Sequence, residues 1–322
     1  MLIVTGATGL LGNTVVRRAL ARGFEVTALV RGSSAERPLE GLPVRRMALD
    51  LAFDPLEAVI RQDDIVVHAA ARVAIGRRDL PAFRQDNVVP TRRLAAACRA
   101  AGARLVHVST VDTLVWGTRD SPGDETPAPV DAIPTSYSMS KREAEQVVTD
   151  EMAGGLDSVI VHPAFMLGPN DWKPSSGRML LEAARAPILP APPGGNDFCH
   201  VEDVADAVIA AGQRGVSGSR YILGGEALTY AEAFALMRQV VGRSPRIAPV
   251  PAWLVRWLGR IGDGVGAITG REPALNSASA AIACRPHHFS SARATRDLDY
   301  HPRPAVVAMR DAWSWFTSHG YA

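Results

Sequence analysis

A tyrosine and a lysine four residues apart, Tyr137 and Lys141, are the first pair in the sequence with the types and spacing to do chemistry. On a helix, positions i and i+4 share a face, so the phenol and the ammonium can point into one site. A nearby cation stabilises phenolate and lowers the tyrosine pKa, which makes the phenol a usable proton donor or acceptor near neutrality. Of 35 basic residues only Lys141 and Lys173 are lysines, and the bias towards arginine makes each stand out. With 5 tyrosines and so few lysines in 322 residues, chance supplies this spacing roughly 0.03 times. Arginine is a poor substitute here, because its planar fork does not match a compact ammonium reaching ribose hydroxyls.

Two more groups fit around that pair. Thr5-Gly6-Ala7-Thr8-Gly9-Leu10-Leu11-Gly12 lies between an apolar run and a helical pattern. Its glycines let the backbone approach a pyrophosphate, and the N–H groups at the helix start bind that anion. Where a carboxylate would meet the adenosine ribose, the sequence has Val30-Arg31-Gly32-Ser33-Ser34. A guanidinium and two hydroxyls suit a 2′-phosphate, so the cofactor read is NADP(H), with NAD(H) as the alternative. Asp50 has two readings, acceptor for the adenine amino group or turn cap. Ser109 and Thr110 end a β-type run, and either hydroxyl can hold a substrate carbonyl oxygen beside Tyr137.

The elements that must position these groups follow from periodicity. Strands are expected at Leu2–Thr5, Glu25–Val30, Val44–Ala48, Ile65–Ala69, Arg104–Ser109 and Ser158–His162, and helices at Leu11–Ala21, Pro55–Arg61, Leu80–Ala101 and Ser136–Glu151. Gly23 and Gly102 read as helix C-terminal stops. The alternation predicts an α/β protein, a Rossmann-type doubly wound parallel sheet with a smaller, mainly helical C-terminal substrate lobe. The expected dinucleotide domain spans 1–165, with 198–225 returning to it through a helix at Glu202–Ala211 and a strand at Tyr221–Leu223. Residues 166–197 and 226–322 are assigned to the lobe. The Pro-, Asp- and Gly-rich stretch from Thr118 to Thr135 reads as a surface loop entering the Tyr137 helix.

Taken together, these motifs resemble the extended short-chain dehydrogenase/reductase superfamily over nearly the whole chain. Val67-His68-Ala69-Ala70, Asn87 with Thr91, Gly168-Pro169-Asn170-Asp171 and His200 to Ala205 continue the likeness. Within it, the chain looks most like the dihydroflavonol-4-reductase-like and hopanoid-associated sugar epimerase-like branch. Lys173-Pro174 to Gly177-Arg178, Tyr221 to Glu226 and Thr269 to Pro273 carry that narrower resemblance. It implies Tyr137 as acid/base, Lys141 as ribose ligand, and Thr110 in the place of the family's catalytic serine. It also implies cofactor contacts from Gly6, Thr8, Gly9, Leu10, Leu11 and Gly12, from Arg31, Ser33 and Ser34, and from Asp50 and Leu51. Further implied contacts are Ala69, Ala70, Ala71, Asn87 and Val108, then His162, Pro163 and Phe165 around the site. His162 and Val111 depart from the sugar-nucleotide pattern and weaken a dehydratase reading. The implied activity is NADP(H)-dependent reduction of a carbonyl or the reverse oxidation. A nucleotide-sugar epimerase with tightly held NAD, and a non-catalytic dinucleotide sensor, are the rivals.

Composition narrows the partners. A net charge of +2 without a basic tail excludes broad electrostatic capture of nucleic acid. Three cysteines without a C-x-x-C pair fit a reducing cytosol, and no apolar run approaches the roughly 20 residues that span a bilayer. A small-molecule carbonyl or alcohol is therefore the expected partner, and the helices at 80–101 and 136–151 are where a homodimer would pair. Cys284, His287 and His288 lack a fourth ligand, so they read as loop packing with no metal. From Trp253 to Ile268, Leu254, Trp257, Leu258, Ile261 and Val265 recur at helical spacing beside Arg256 and Arg260. Core packing is the expected role of this stripe, ahead of lying on a membrane or covering a hydrophobic substrate.

Overall fold

Short runs of valine, isoleucine and leucine bounded by turn residues pair into a parallel sheet. The structure, a computed structural model, describes residues 1–32, 37–129, 132 and 135–322. Its first elements are β1 (Leu2–Thr5), α1 (Leu10–Ala21), β2 (Val26–Val30), β3 (Arg45–Ala48), β4 (Ile65–His68), α2 (Leu80–Phe83), α3 (Val89–Ala101) and β5 (Arg104–Val108). Then come α4 (Ser136–Ala153), β6 (Ser158–Pro163), β7 (Phe165–Leu167), α5 (Arg178–Arg185), β8 (Leu189–Ala191), β9 (Gly195–His200), α6 (Val201–Arg214) and β10 (Arg220–Leu223). The chain ends with β11 (Glu226–Thr229), α7 (Tyr230–Val240), β12 (Ile247–Pro249), α8 (Ala252–Thr269), α9 (Ser277–Ala283), α10 (Ala292–Leu298) and α11 (Ala305–Ser318).

The main sheet runs β10-β6-β5-β4-β1-β2-β3 with every pair parallel. Side chains alternate across a strand, and that period of two divides the core. Leu2, Val4, Val67, Val106 and Val161 meet α1 and α6 on one face, whereas Ile3, Val66, Leu105 and Ile160 meet Leu94 and Cys98 of α3 on the other. The sheet is thus covered on both sides, as the sequence predicts. Strand order reverses between β1 and β4, which opens the crevice where such sheets bind ligands. Two small sheets, β11-β9-β7 and β12-β8, pack with α5, α7 and α11 around a second core that includes Leu180, Phe198, Phe234, Met309 and Phe316.

Four local expectations change. Residues 55–61 form turns instead of a helix, and just before them the Arg93 guanidinium donates to the carbonyls of Leu51 and Asp54. The 80–101 helix is interrupted by a π-turn at Arg84–Val88, which ends two residues before Pro90, whose missing N–H cannot continue the ladder. Residues 198–200 belong to the small sheet, so the return to the main sheet is made by α6 and β10. Finally, α8 forms, but its apolar stripe is not core: Val255, Gly259 and Gly266 face inward, while Trp253 and Trp257 are 69% and 54% exposed. Gly102 ends α3 in the left-handed region, φ 70°, as expected, and Gly23 does so just past α1 with φ 80°.

Candidate active site

The glycine turn after β1 is built for close approach. Gly6 has φ +70°, and a Cβ on it would stand 2.6 Å from the Ala70 nitrogen in the loop after β4. A Cβ on Gly12 would lie 2.2 Å from the Gly6 carbonyl oxygen. The α1 N-terminus beyond Gly9 has no side-chain cap and no acidic residue in its first turn. Backbone N–H groups at Leu10, Leu11 and Gly12 therefore face the crevice without an internal anion, and these residues fit a dinucleotide pyrophosphate. Thr8 lies half-buried within the turn. Arg31 is exposed immediately after β2. Ser33 and Ser34 lie outside the described residues. Asp50 is a turn cap, its Oδ1 accepting from the Ala52 N–H at 2.8 Å, and Leu51 beside it gives its carbonyl to Arg93.

A one-directional hydrogen-bond chain ties this crevice together. The Ala70 N–H donates to Thr5 Oγ1 at 3.2 Å, and that hydroxyl lies 2.8 Å from His68 Nδ1. Thr91 donates its hydroxyl proton to the Asn87 carbonyl at 2.6 Å, so at 3.0 Å it must accept from His68 Nε2. His68 is consequently the neutral Nε2–H tautomer, and burial pushes its pKa down to about 3, with Lys141 adding to the effect. Asn87 is buried in the π-turn. It donates to Ser140 Oγ at 2.8 Å and the Arg72 carbonyl at 3.1 Å, and it accepts from the Arg72 N–H at 2.7 Å. Its amide is committed to the protein, holding the loop that follows Ala69, Ala70 and Ala71 against α4.

Thr135 starts α4 by accepting from the Ser138 N–H at 3.0 Å, which places Tyr137 in the first turn and Lys141 in the second. The Tyr137 phenol lies beside the Thr110 side chain, just beyond Val108 at the end of β5, close enough for that hydroxyl to lower its pKa. Ser109 turns inward to donate to Glu145 Oε1, and Thr110 stands beside the phenol. Lys141 is buried, with Nζ 3.4 Å from His107 Nε2. Burial pulls its pKa down to about 8, against an upward pull from Glu145.

Three findings correct the sequence reading. The phenol is raised above the ordinary tyrosine value, by burial first and then by the Asp112 charge, so the net shift runs opposite to the lowering expected from Lys141. His162 has no exposed surface. It sits beneath the site with Nδ1 3.1 Å from the Thr110 carbonyl and 3.6 Å from Glu145, out of reach of a cofactor. Pro163 is likewise buried at the end of β6, whereas Phe165 is half-buried in β7 and stacks on Phe198 at 5.0 Å.

Asp112 was passed over as a site residue, although it follows Thr110 by two positions and hydrogen-bonds its side chain; burial pushes its carboxyl up to about 6. Glu145, four residues after Lys141, was also missed. Burial would raise it, but His162, Arg220, Ser109 and Thr113 outweigh burial and hold it below the usual range. Arg220 reaches it from β10 at 2.5 Å. His287 bonds the Gly195 carbonyl at 3.2 Å and His288 bonds Asp197 at 2.9 Å, so these histidines fasten β9. Lys173 is exposed in a loop.

Residues 2–224 match the description "NAD dependent epimerase/dehydratase family". This chain belongs to that family. It is an enzyme of the NAD(P)-dependent oxidoreductase type, an extended short-chain dehydrogenase/reductase. Among its relatives, a Synechocystis sp. protein provisionally named dihydroflavonol 4-reductase is 31% identical, covering 99% of this chain and 95% of its own. Sterol demethylase protein B of Methylococcus capsulatus is 33% identical over 99% of this chain and 98% of its own. The crystal structure of gox2253 superposes with TM-score 0.87 at 31% identity, covering 100% of this chain and 99% of that one. No helix among the described residues is long and apolar enough to cross a membrane.

Proposed function

We propose that this family member is an NADP(H)-dependent carbonyl reductase using Thr110, Tyr137 and Lys141. The observation that carries the proposal is the Tyr137 phenol beside the Thr110 side chain, one helical turn before a buried Lys141. When bound in the crevice, NADPH supplies the hydride that the carbonyl carbon receives. Thr110 orients the carbonyl oxygen, and Tyr137 gives that oxygen its proton. The raised phenol pKa keeps that proton on Tyr137 until an oxyanion develops beside it. Lys141, positioned by His107, stabilises the phenolate left behind and holds the nicotinamide ribose. Arg31 meets the 2′-phosphate, and the Gly6 to Gly12 turn meets the pyrophosphate. Asn87 acts as a positioning residue. The 31% identical Synechocystis relative bears a reductase name, which supports the direction chosen.

An NADPH-oxidation screen over aldehydes, ketones and sugar nucleotides, with NADH in parallel, tests the proposal. Turnover of a carbonyl with NADPH preferred is expected. Co-purifying NAD that does not exchange, together with epimerisation of a sugar nucleotide, would overturn it.

A further inference from the structure

Helix α8 is mounted the wrong way round for a core helix. At about 100° per residue, Gly259, Gly262 and Gly266 form one stripe. A Cβ on Gly262 would lie 1.9 Å from the Leu275 carbonyl oxygen, and one on Gly259 2.7 Å from Ala280 Cβ. The small face is therefore pressed against residues 273–280, and the opposite, bulky face looks out. Ile268 is 88% exposed, and Trp257, Leu258, Ile261 and Val265 are exposed with it.

The patch continues beyond the helix. Asn276 Nδ2 donates to the Ile75 carbonyl at 2.9 Å, and the Arg78 N–H donates to Glu272 at 3.1 Å, which brings exposed Leu275, Ile75 and Val73 alongside. Nine of the fourteen large apolar side chains exposed among the described residues lie in these two segments, so the concentration is local. The same 71–79 loop passes to the site, because the Ser136 N–H at the start of α4 donates to the Gly76 carbonyl at 2.8 Å.

Charge identifies the occupant. Residues 71–79 and 252–276 contain six arginines and three carboxylates. Each carboxylate is engaged: Asp79 with Arg72, Asp263 with the Ser277 N–H, and Glu272 with the Arg78 N–H. A two-fold copy of the chain would bring this net-positive surface against another of the same sign. An anionic bilayer offers hydrocarbon for the tryptophans and isoleucines and phosphate for Arg256 and Arg260 at the flank of the stripe.

We propose that α8 and the 71–79 loop form a peripheral docking surface for anionic membrane, beside the mouth of the active site. Sedimentation of the purified chain with phosphatidylcholine vesicles, with and without phosphatidylglycerol, tests it independently of catalysis. Binding to the anionic vesicles is expected to exceed binding to phosphatidylcholine alone by about tenfold, and to fall by about as much in W257S/I261S and in R256Q/R260Q. Both variants change exposed side chains, so thermal midpoint and NADPH affinity should stay at the wild-type values. No binding to anionic vesicles, equal binding to both vesicle types, or binding indifferent to both variants would overturn the proposal. So would light scattering that shows a dimer abolished by W257S/I261S without any vesicle binding.

Discussion

At Tyr137 the surroundings favour holding a proton over releasing one. Burial and the Asp112 charge both raise the phenol, and the neighbouring Thr110 hydroxyl only partly offsets them. Replacing Tyr137 with phenylalanine is expected to reduce kcat at least about a hundredfold, the scale of general acid catalysis. NADPH affinity, measured by fluorescence titration, should change little. Asp112 gives a finer test. Its carboxyl, pushed up to about 6 by burial, is ionised at neutral pH and opposes formation of phenolate. In Asp112→Asn that repulsion is gone, the phenol pKa falls, and alcohol oxidation should reach its plateau about one pH unit lower. A kcat/KM profile identical to wild type would show that Asp112 does not act on Tyr137. The Tyr137 and Lys141 pair was legible in sequence because the i, i+4 spacing defines a shared face. Asp112 and Glu145 were not, because their role depends on which strands and helices enclose them.

The glycine turn and the site helix act as units of backbone geometry. Gly12→Ala places a methyl 2.2 Å from a carbonyl oxygen that belongs to the same turn, so the turn must open. The expected result is loss of NADPH binding in a calorimetric titration and a stability loss of about 1–3 kcal/mol. This turn was legible because glycine at fixed spacing between a strand and a helix states a backbone requirement. The interrupted 80–101 helix was half legible. Pro90 is visible in the sequence, but the π-turn that absorbs it and aims Asn87 at Ser140 depends on contacts across to α4. In α8 the period was right and the orientation wrong. By periodicity alone the apolar stripe is the side expected to be buried, whereas the glycines at 259, 262 and 266 allow the closest approach and take the inner face.

Across the whole molecule, the parallel sheet shelters imidazoles in its interior. His68, His107 and His162 are each buried and lowered from the usual histidine value, by burial first. Unfolding exposes them, and below about pH 6.5 the unfolded chain binds protons that the folded chain does not. Stability should therefore be full above that pH and fall as pH drops below it. Each imidazole contributes a slope of up to about 1.4 kcal/mol per pH unit, readable in urea midpoints between neutral and mildly acidic buffer. A pH-independent midpoint through that window would show that the three are not neutral in the folded state. The alternation of strands and helices made this architecture legible, but no local pattern announced that β10, the last strand of the main sheet in chain order, lies at its edge beside β6. Its position has a consequence for synthesis on the ribosome. Until residue 220 emerges, β6 is an open edge strand and Glu145 lacks Arg220. A chain halted just after β6 should therefore aggregate rather than rest as a stable half-domain, and a nascent chain of this enzyme has reason to meet a chaperone in that interval.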